Sequence, residues 1–315
     1  MMKNSLLFVC KHLFVAALVC GVSFYLSVYR KKCGADIPSK IGQIEQVKPD
    51  IILVGNSVLR AAVDEEGLSK ALGKKVLKVT SNGSASAWWY LYLKNVVTQA
   101  SRPKSVVVFF RDHYLTLPSF RVEGKYQKPL RMLSLKEEPF LAKRALKLSS
   151  SFGYVSAEAK ERFERRCVKL TANCLRCNKN EVSASLGEVL GTSAMIPELV
   201  TRQQLATELE GCADDLDFDK MLSNSLLPEM ISIAKECGVE LIFVRCKRRR
   251  DVVAGAQSEA LFTYIKHLTE YLVESGAKLI DTTEDSFTEA DYGPGDHLNT
   301  KAKELFTQRL SKRLF

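Results

Sequence analysis

The order of apolar and helical stretches predicts an α/β protein whose parallel sheet is covered on both faces. Three observations predict it. Short unbroken apolar runs recur, as expected of strands buried on both sides. Helical stretches separate those runs. Gly73, Gly238 and Gly276 close three of the helices.

The elements follow in order. Residues 51–55 (IILVG) form the first strand, ending in Gly. Residues 64–72 read as a helix and 75–80 (KVLKVT) as the second strand. A helix over 85–100 carries Trp88 and Trp89, and 105–110 (SVVVFF) is the third strand. Residues 230–237 end a helix, and 239–245 (VELIFVR) are the fourth strand. A long helix over 259–275 precedes a short fifth strand at 277–281 (AKLID). Residues 301–314 close the chain as an amphipathic helix. The region from 111 to about 226 interrupts this rhythm. It is long, basic, Cys-bearing and mostly helical. It reads as an insertion or cap over the carboxyl edge of the sheet, where open α/β sheets bind ligands.

The N-terminus has a different character. Residues 13–29 (LFVAALVCGVSFYLSVY) carry no charge, and residues 6–10 extend the apolar stretch. Together they reach bilayer thickness, roughly 20 helical residues. No small-residue cleavage site follows, so residues 1–32 read as an uncleaved signal anchor and transmembrane helix. Residues 33–49 then form a linker, and 50–315 the main domain. Lys3 and Lys11 flank one side of the anchor, Arg30, Lys31 and Lys32 the other. That near tie leaves the orientation open.

Composition excludes several classes. With 46% hydrophobic and 26% charged residues among 315, the chain is neither disordered nor a polytopic membrane protein as a whole. The net charge is +10, and residues 121–166 alone hold twelve Lys or Arg against six Glu. No nucleic-acid reading motif accompanies this charge. The basic stretch suits an anionic glycan, a lipid surface or a solvated helix face alike. Of nine cysteines, Cys174 and Cys177 form a CxxC with Cys167 nearby, which leaves zinc, a local disulfide or neither open. Cys237 and Cys246 bracket an extended run and cannot pair with each other.

Three short motifs could carry chemistry. Gly55-Asn56-Ser57 follows the first strand, so Ser57 sits where a helix begins and backbone N–H groups are at hand. Asn and Ser are also common helix caps. Asn82-Gly83-Ser84 follows the second strand. Gly83 lets the backbone approach a ligand, or simply makes a turn. Asp296-His297-Leu298-Asn299 precedes the last helix in a Gly-bearing polar loop, a good position for a general base. His113 is its rival. His12 lies in the membrane segment, and His267 falls on a helix surface.

A Ser after strand one, a Gly after strand two and a His before the final helix together resemble the SGNH (GDSL-like) hydrolase superfamily. The resemblance implies a flavodoxin-like three-layer SGNH-type sheet. It implies Ser57 as nucleophile, His297 as base with Asp296 as its acid, and an oxyanion hole of Ser57, Gly83 and Asn82. Within that superfamily the chain looks like membrane-anchored envelope proteins of alginate O-acetylation and teichoic acid D-alanylation. The shared features are the single anchor, the ending His297-Leu298-Asn299 before a helix, and Phe109-Phe110-Arg111-Asp112 after strand three. That likeness implies a single-pass inner-membrane protein with a periplasmic domain, a polysaccharide substrate and a partner from the membrane-bound O-acyltransferase family. It implies no cofactor.

Two positions depart from the family pattern. The usual acid, three residues before the His, is replaced by Pro294, leaving Asp296 or Asp291 to substitute. The third block's Gly-x-Asn is replaced by Arg111-Asp112-His113. Arg111 and Asp112 are therefore substrate-binding candidates, with Arg111 suited to an oxyanion, carboxylate or phosphate, or else to a structural ion pair. The expected chemistry is acyl transfer. The alternatives are an esterase or deacetylase using the same residues, and a non-catalytic glycan-binding or assembly scaffold.

Overall fold

The computed structural model describes residues 34–135, 138–145, 216–249, 252, 257–293 and 297–314. All of them belong to one compact unit, Cys33–Lys147 with Cys212–Phe315. The expected membrane anchor, the CxxC, half of the basic stretch and Asp296 lie outside the described residues. Among those described, no helix is long and apolar enough to cross a membrane.

Five parallel strands form the sheet: β1 (Ile51–Gly55), β2 (Val76–Thr80), β3 (Ser105–Phe110), β4 (Glu240–Arg245) and β5 (Lys278–Asp281). Their order is β2-β1-β3-β4-β5, the flavodoxin-like arrangement. The chain leaves β1 toward β2 and returns past it to β3. The switch point therefore lies at the carboxyl ends of β1 and β3, where such sheets open a crevice.

Alternation along each strand divides the core in two. Ile52, Val54, Val106, Val108, Leu241 and Phe243 face one layer of helices. This layer contains α1 (Ile37–Val47), α4 (Ser86–Asn95), α8 (Leu227–Cys237) and α9 (Glu259–Glu274). Ile51, Leu53, Val107, Phe109, Ile242 and Val244 face the other. There they meet α2 (Ser57–Ala62), α3 (Glu65–Leu72) and α10 (Thr300–Leu314). Every β1 and β3 residue is buried, as the unbroken apolar runs require.

The stretch expected as a linker carries α1, which docks through Ile37 and Ile44. The helix expected over 85–100 divides instead: α4 ends at Asn95 and a 3-10 turn, Val97–Gln99, follows. Nine of the ten α4 residues are buried, because the described part of the insertion covers its outer side. Here α5 (Gln127–Leu133) and α6 (Pro139–Ala145) bring Leu130, Leu133 and Leu141 into the core. Polar pins hold them. The Asn95 side-chain amide donates to the Leu133 carbonyl at 2.8 Å and to Glu138 at 2.6 Å. Lys94 pairs with the same Glu138 at 2.7 Å. The last helix of the insertion, α7 (Phe218–Ser223), packs Phe218 against Tyr264 of α9.

Candidate functional site

Gly55 ends β1 because nothing larger fits. A Cβ there would lie 2.8 Å from the Leu59 Cβ and 3.2 Å from the Phe109 Cβ. The chain turns at once into α2, which puts Ser57, half-buried, in the first helical position. Asn56 caps this helix by accepting from the Val58 N–H at 2.9 Å. Its amide also donates to the Ser84 carbonyl at 3.2 Å. The helix-cap role and the candidate-site role thus coexist in one motif.

The loops after β1 and β2 are stitched together. The Gly55 carbonyl accepts from the Ser81 N–H and the Ser84 hydroxyl, both at 3.1 Å. Trp89 donates to Ser84 Oγ at 3.3 Å. Gly83 takes a left-handed conformation (φ +70°), and Asn82 is exposed. A Cβ on Gly83 would collide with the ring of Tyr126.

His297 reaches the same edge from the other end of the chain. The turn that carries it is closed by a Gly293 N–H to His297 carbonyl bond of 2.7 Å and by the Tyr292–Leu298 bridge. Asn299 caps α10 by accepting from Ala302 N–H at 3.0 Å, while its amide donates to the Ala290 carbonyl at 2.8 Å. Val58 and Leu298, the residues following Ser57 and His297, line one cavity of about 10 Å³ with Cys246 and Phe306. That volume admits about one water. Asp291, the alternative acid, caps a turn instead: its carboxylate accepts from the Thr288 N–H at 2.7 Å and hydroxyl at 2.9 Å. Those bonds hold it below the usual carboxylate range.

The segment after β3 behaves differently from a free binding loop. Arg111 is half-buried, while Asp112 is buried in a left-handed conformation (φ +44°). Asp112 forms an ion pair with Arg248, itself buried, whose guanidinium lies 5.0 Å from the centre of the Tyr114 ring. His113, the rival base, is buried edge-on between Tyr114 and Tyr264. His267 is exposed, as expected.

Sequence reasoning did not single out Arg248, Arg249 or Tyr126. The cationic run Lys247-Arg248-Arg249, one residue after β4, was the available signal for two of them. Arg249 reaches the His297-bearing turn, donating to Glu289 at 2.7 Å and to the Gly293 carbonyl at 3.5 Å. Among the described residues no group of His, Cys, Asp and Glu could hold a metal.

No family model and no curated protein matches the chain. Solved structures similar to it include the following three. One is a candidate acylhydrolase from Bacteroides fragilis NCTC 9343, with 12% identity over 89% of this chain and 97% of that one, and a TM-score of 0.42. The second is a candidate lipolytic protein of the G-D-S-L family from Desulfitobacterium hafniense DCB-2, with 8% identity over 83% and 97%, TM-score 0.40. The third is a GDSL-like lipase from Bacteroides thetaiotaomicron VPI-5482, with 10% identity over 92% and 100%, TM-score 0.41. All three scores lie below 0.5, so the reading of the site rests on the chain's own residues.

Proposed function

We propose that the chain is a serine-dependent acyltransferase of the cell envelope, held by its N-terminal segment in the inner membrane with its domain in the periplasm. The observation that supports this most is convergence. Val58 and Leu298 share one small cavity, so the start of α2 and the turn before α10 meet at the carboxyl edge. Ser57 and His297 are the residues immediately before that pair.

In this reading His297 takes the Ser57 proton as Oγ attacks the acyl carbonyl. The Ser57 and Gly83 N–H groups, with Asn82 beside them, hold the developing oxyanion. The bond to the donor's leaving oxygen breaks, and His297 returns the proton to it. A glycan hydroxyl, deprotonated by the same His297, then attacks the acyl carbon; the bond to Ser57 Oγ breaks, and His297 returns the proton to Oγ. An envelope polysaccharide is the acceptor. A membrane-bound O-acyltransferase supplies the acyl group. No cofactor enters, and the cycle balances without an oxidant or reductant. With Asp291 engaged by Thr288, the reading requires only a Ser–His pair, to which Asp296 adds orientation.

The test is Ser57→Ala and His297→Ala in cells, with membrane abundance verified, scored by acyl content of the envelope glycan. Each single change should lower acylation on the order of 1,000-fold, and the double change should do little more, since the pair acts as a unit. Unchanged acylation in Ser57→Ala would sink the assignment. Release of free acyl groups without glycan acylation would make the chain an esterase using the same residues.

A further inference from the structure

The chain between β3 and α5 reaches the loop that carries Gly83, one of the candidate site residues. It leaves β3 after Phe110, passes Asp112 and reaches Tyr126, whose ring rests on Gly83 in the loop after β2. In the sheet β1 lies between β2 and β3. The strap therefore links the loops after β2 and β3, which flank the carboxyl end of β1 where Ser57 begins its helix.

The strap is built to hold that ring. Arg121 lies 4.8 Å from the centre of the Phe120 ring and 5.6 Å from that of Tyr126, and so sits between them. Phe120 stacks on Tyr114 at 4.4 Å, and Arg248 covers Tyr114 at 5.0 Å. Arg248 is tied in turn to Asp112. An unbroken ladder of cation–ring and ring–ring contacts thus runs from Asp112 to Tyr126. Asp112 (φ +44°) and Arg121 (φ +58°) both adopt left-handed conformations rare for such residues. Two such conformations in one strap are maintained only where the surrounding contacts enforce them.

We propose that Tyr126 forms the wall of the acyl pocket beside Gly83 and restricts the site to short acyl groups. This deepens the reading in which Ser57 is the nucleophile and Gly83 an oxyanion donor, and it rests on that reading. An acyl carbon held at Ser57 with its oxygen toward Gly83 directs its chain at the ring. A methyl group stops short of it; a long alkyl chain runs into it. Tyr126 is a specificity-determining residue with no part in proton transfer.

The test uses the full-length chain in detergent micelles with p-nitrophenyl acetate, butyrate and octanoate. The wild type should favour acetate. Tyr126→Ala should raise the octanoate-to-acetate ratio of kcat/KM by about 10-fold or more. Tyr126→Leu should give a smaller rise and serves if the Ala chain folds poorly. Tyr126→Phe, which keeps the ring, should retain the wild-type ratio. An unchanged ratio in both the Ala and Leu variants, with turnover still lost in Ser57→Ala, overturns the wall alone. Turnover that survives Ser57→Ala, or none in the wild type, overturns the underlying reading and the wall with it.

Discussion

Cys246, one residue beyond β4, shows how far burial alone sets a side chain's chemistry. It is 4% exposed and free. Burial pushes its thiol up to about 12, and Arg111 and Arg245 offset only part of that rise. At pH 8 it therefore holds roughly one thiolate in 10,000. Iodoacetamide at pH 8 should leave the Cys246 peptide unmodified in the native chain and modify it in urea, as read by mass spectrometry. Rapid native labelling would contradict the enclosed setting. At this scale the sequence exposed some positions and hid others. Ser57, Gly83 and His297 were readable because each sits at a strand end or helix start that the apolar pattern already marks. Tyr126 and Arg248 were not, because their meaning lies in what they touch. Tyr126 meets Gly83 across 43 residues, and Arg248 meets Asp112 across 136. Neither partner leaves a periodic trace.

Helix α10 depends on the residue that caps it. Asn299 accepts from Ala302 N–H at its start and donates to Ala290 in the turn that bears His297. Asn299→Ala should lower unfolding free energy in urea by about 1 kcal/mol through the lost cap. It should also speed amide exchange over 289–298, because the turn loses its tether. Exchange unchanged there would mean that the Gly293–His297 bond and the Tyr292–Leu298 bridge hold the turn without Asn299. Among the elements, strands were the most legible. An unbroken run such as Ser105–Phe110 has one good solution, burial on both faces. Helix α1 was legible in principle, because Ile37, Ile41, Ile44 and Val47 recur at helical spacing and Pro38 sits in the first turn, but its polar remainder read as a linker. The divided end of α4 was hidden because Val96 and Val97 are as apolar as any helical continuation, and only packing separates them.

For the molecule as a whole, three surface carboxylates bind their protons more weakly when folded. The hydroxyl and then the N–H of Ser101 hold Glu45 down. The Lys75 N–H and then Lys104 do the same for Asp50, and Thr288 does so for Asp291. A depressed folded value adds stability that is complete above the unfolded value of about 4. It is lost as pH falls through the folded value. Urea midpoints should hold steady from pH 7 to about 5 and decline below about 4. A midpoint rising on acidification would reverse the sign and refute the assignment. The alternation of strands and helices was legible in the sequence, whereas the order of the strands was expected only from the family resemblance. The insertion was expected as a cap over the carboxyl edge; that its described part also covers α4 no run of residues announces.

The ladder from Asp112 to Tyr126 has an evolutionary corollary. Where Tyr126 rests is decided as much by Asp112, Arg248 and Phe120 as by Tyr126 itself. A lineage adapting to a bulkier group would have several routes to a roomier wall, most of them through side chains that never meet the group. Such drift would leave Ser57 and His297 unaltered. Descendants with different tastes would then look identical at the two residues by which their kinship is judged.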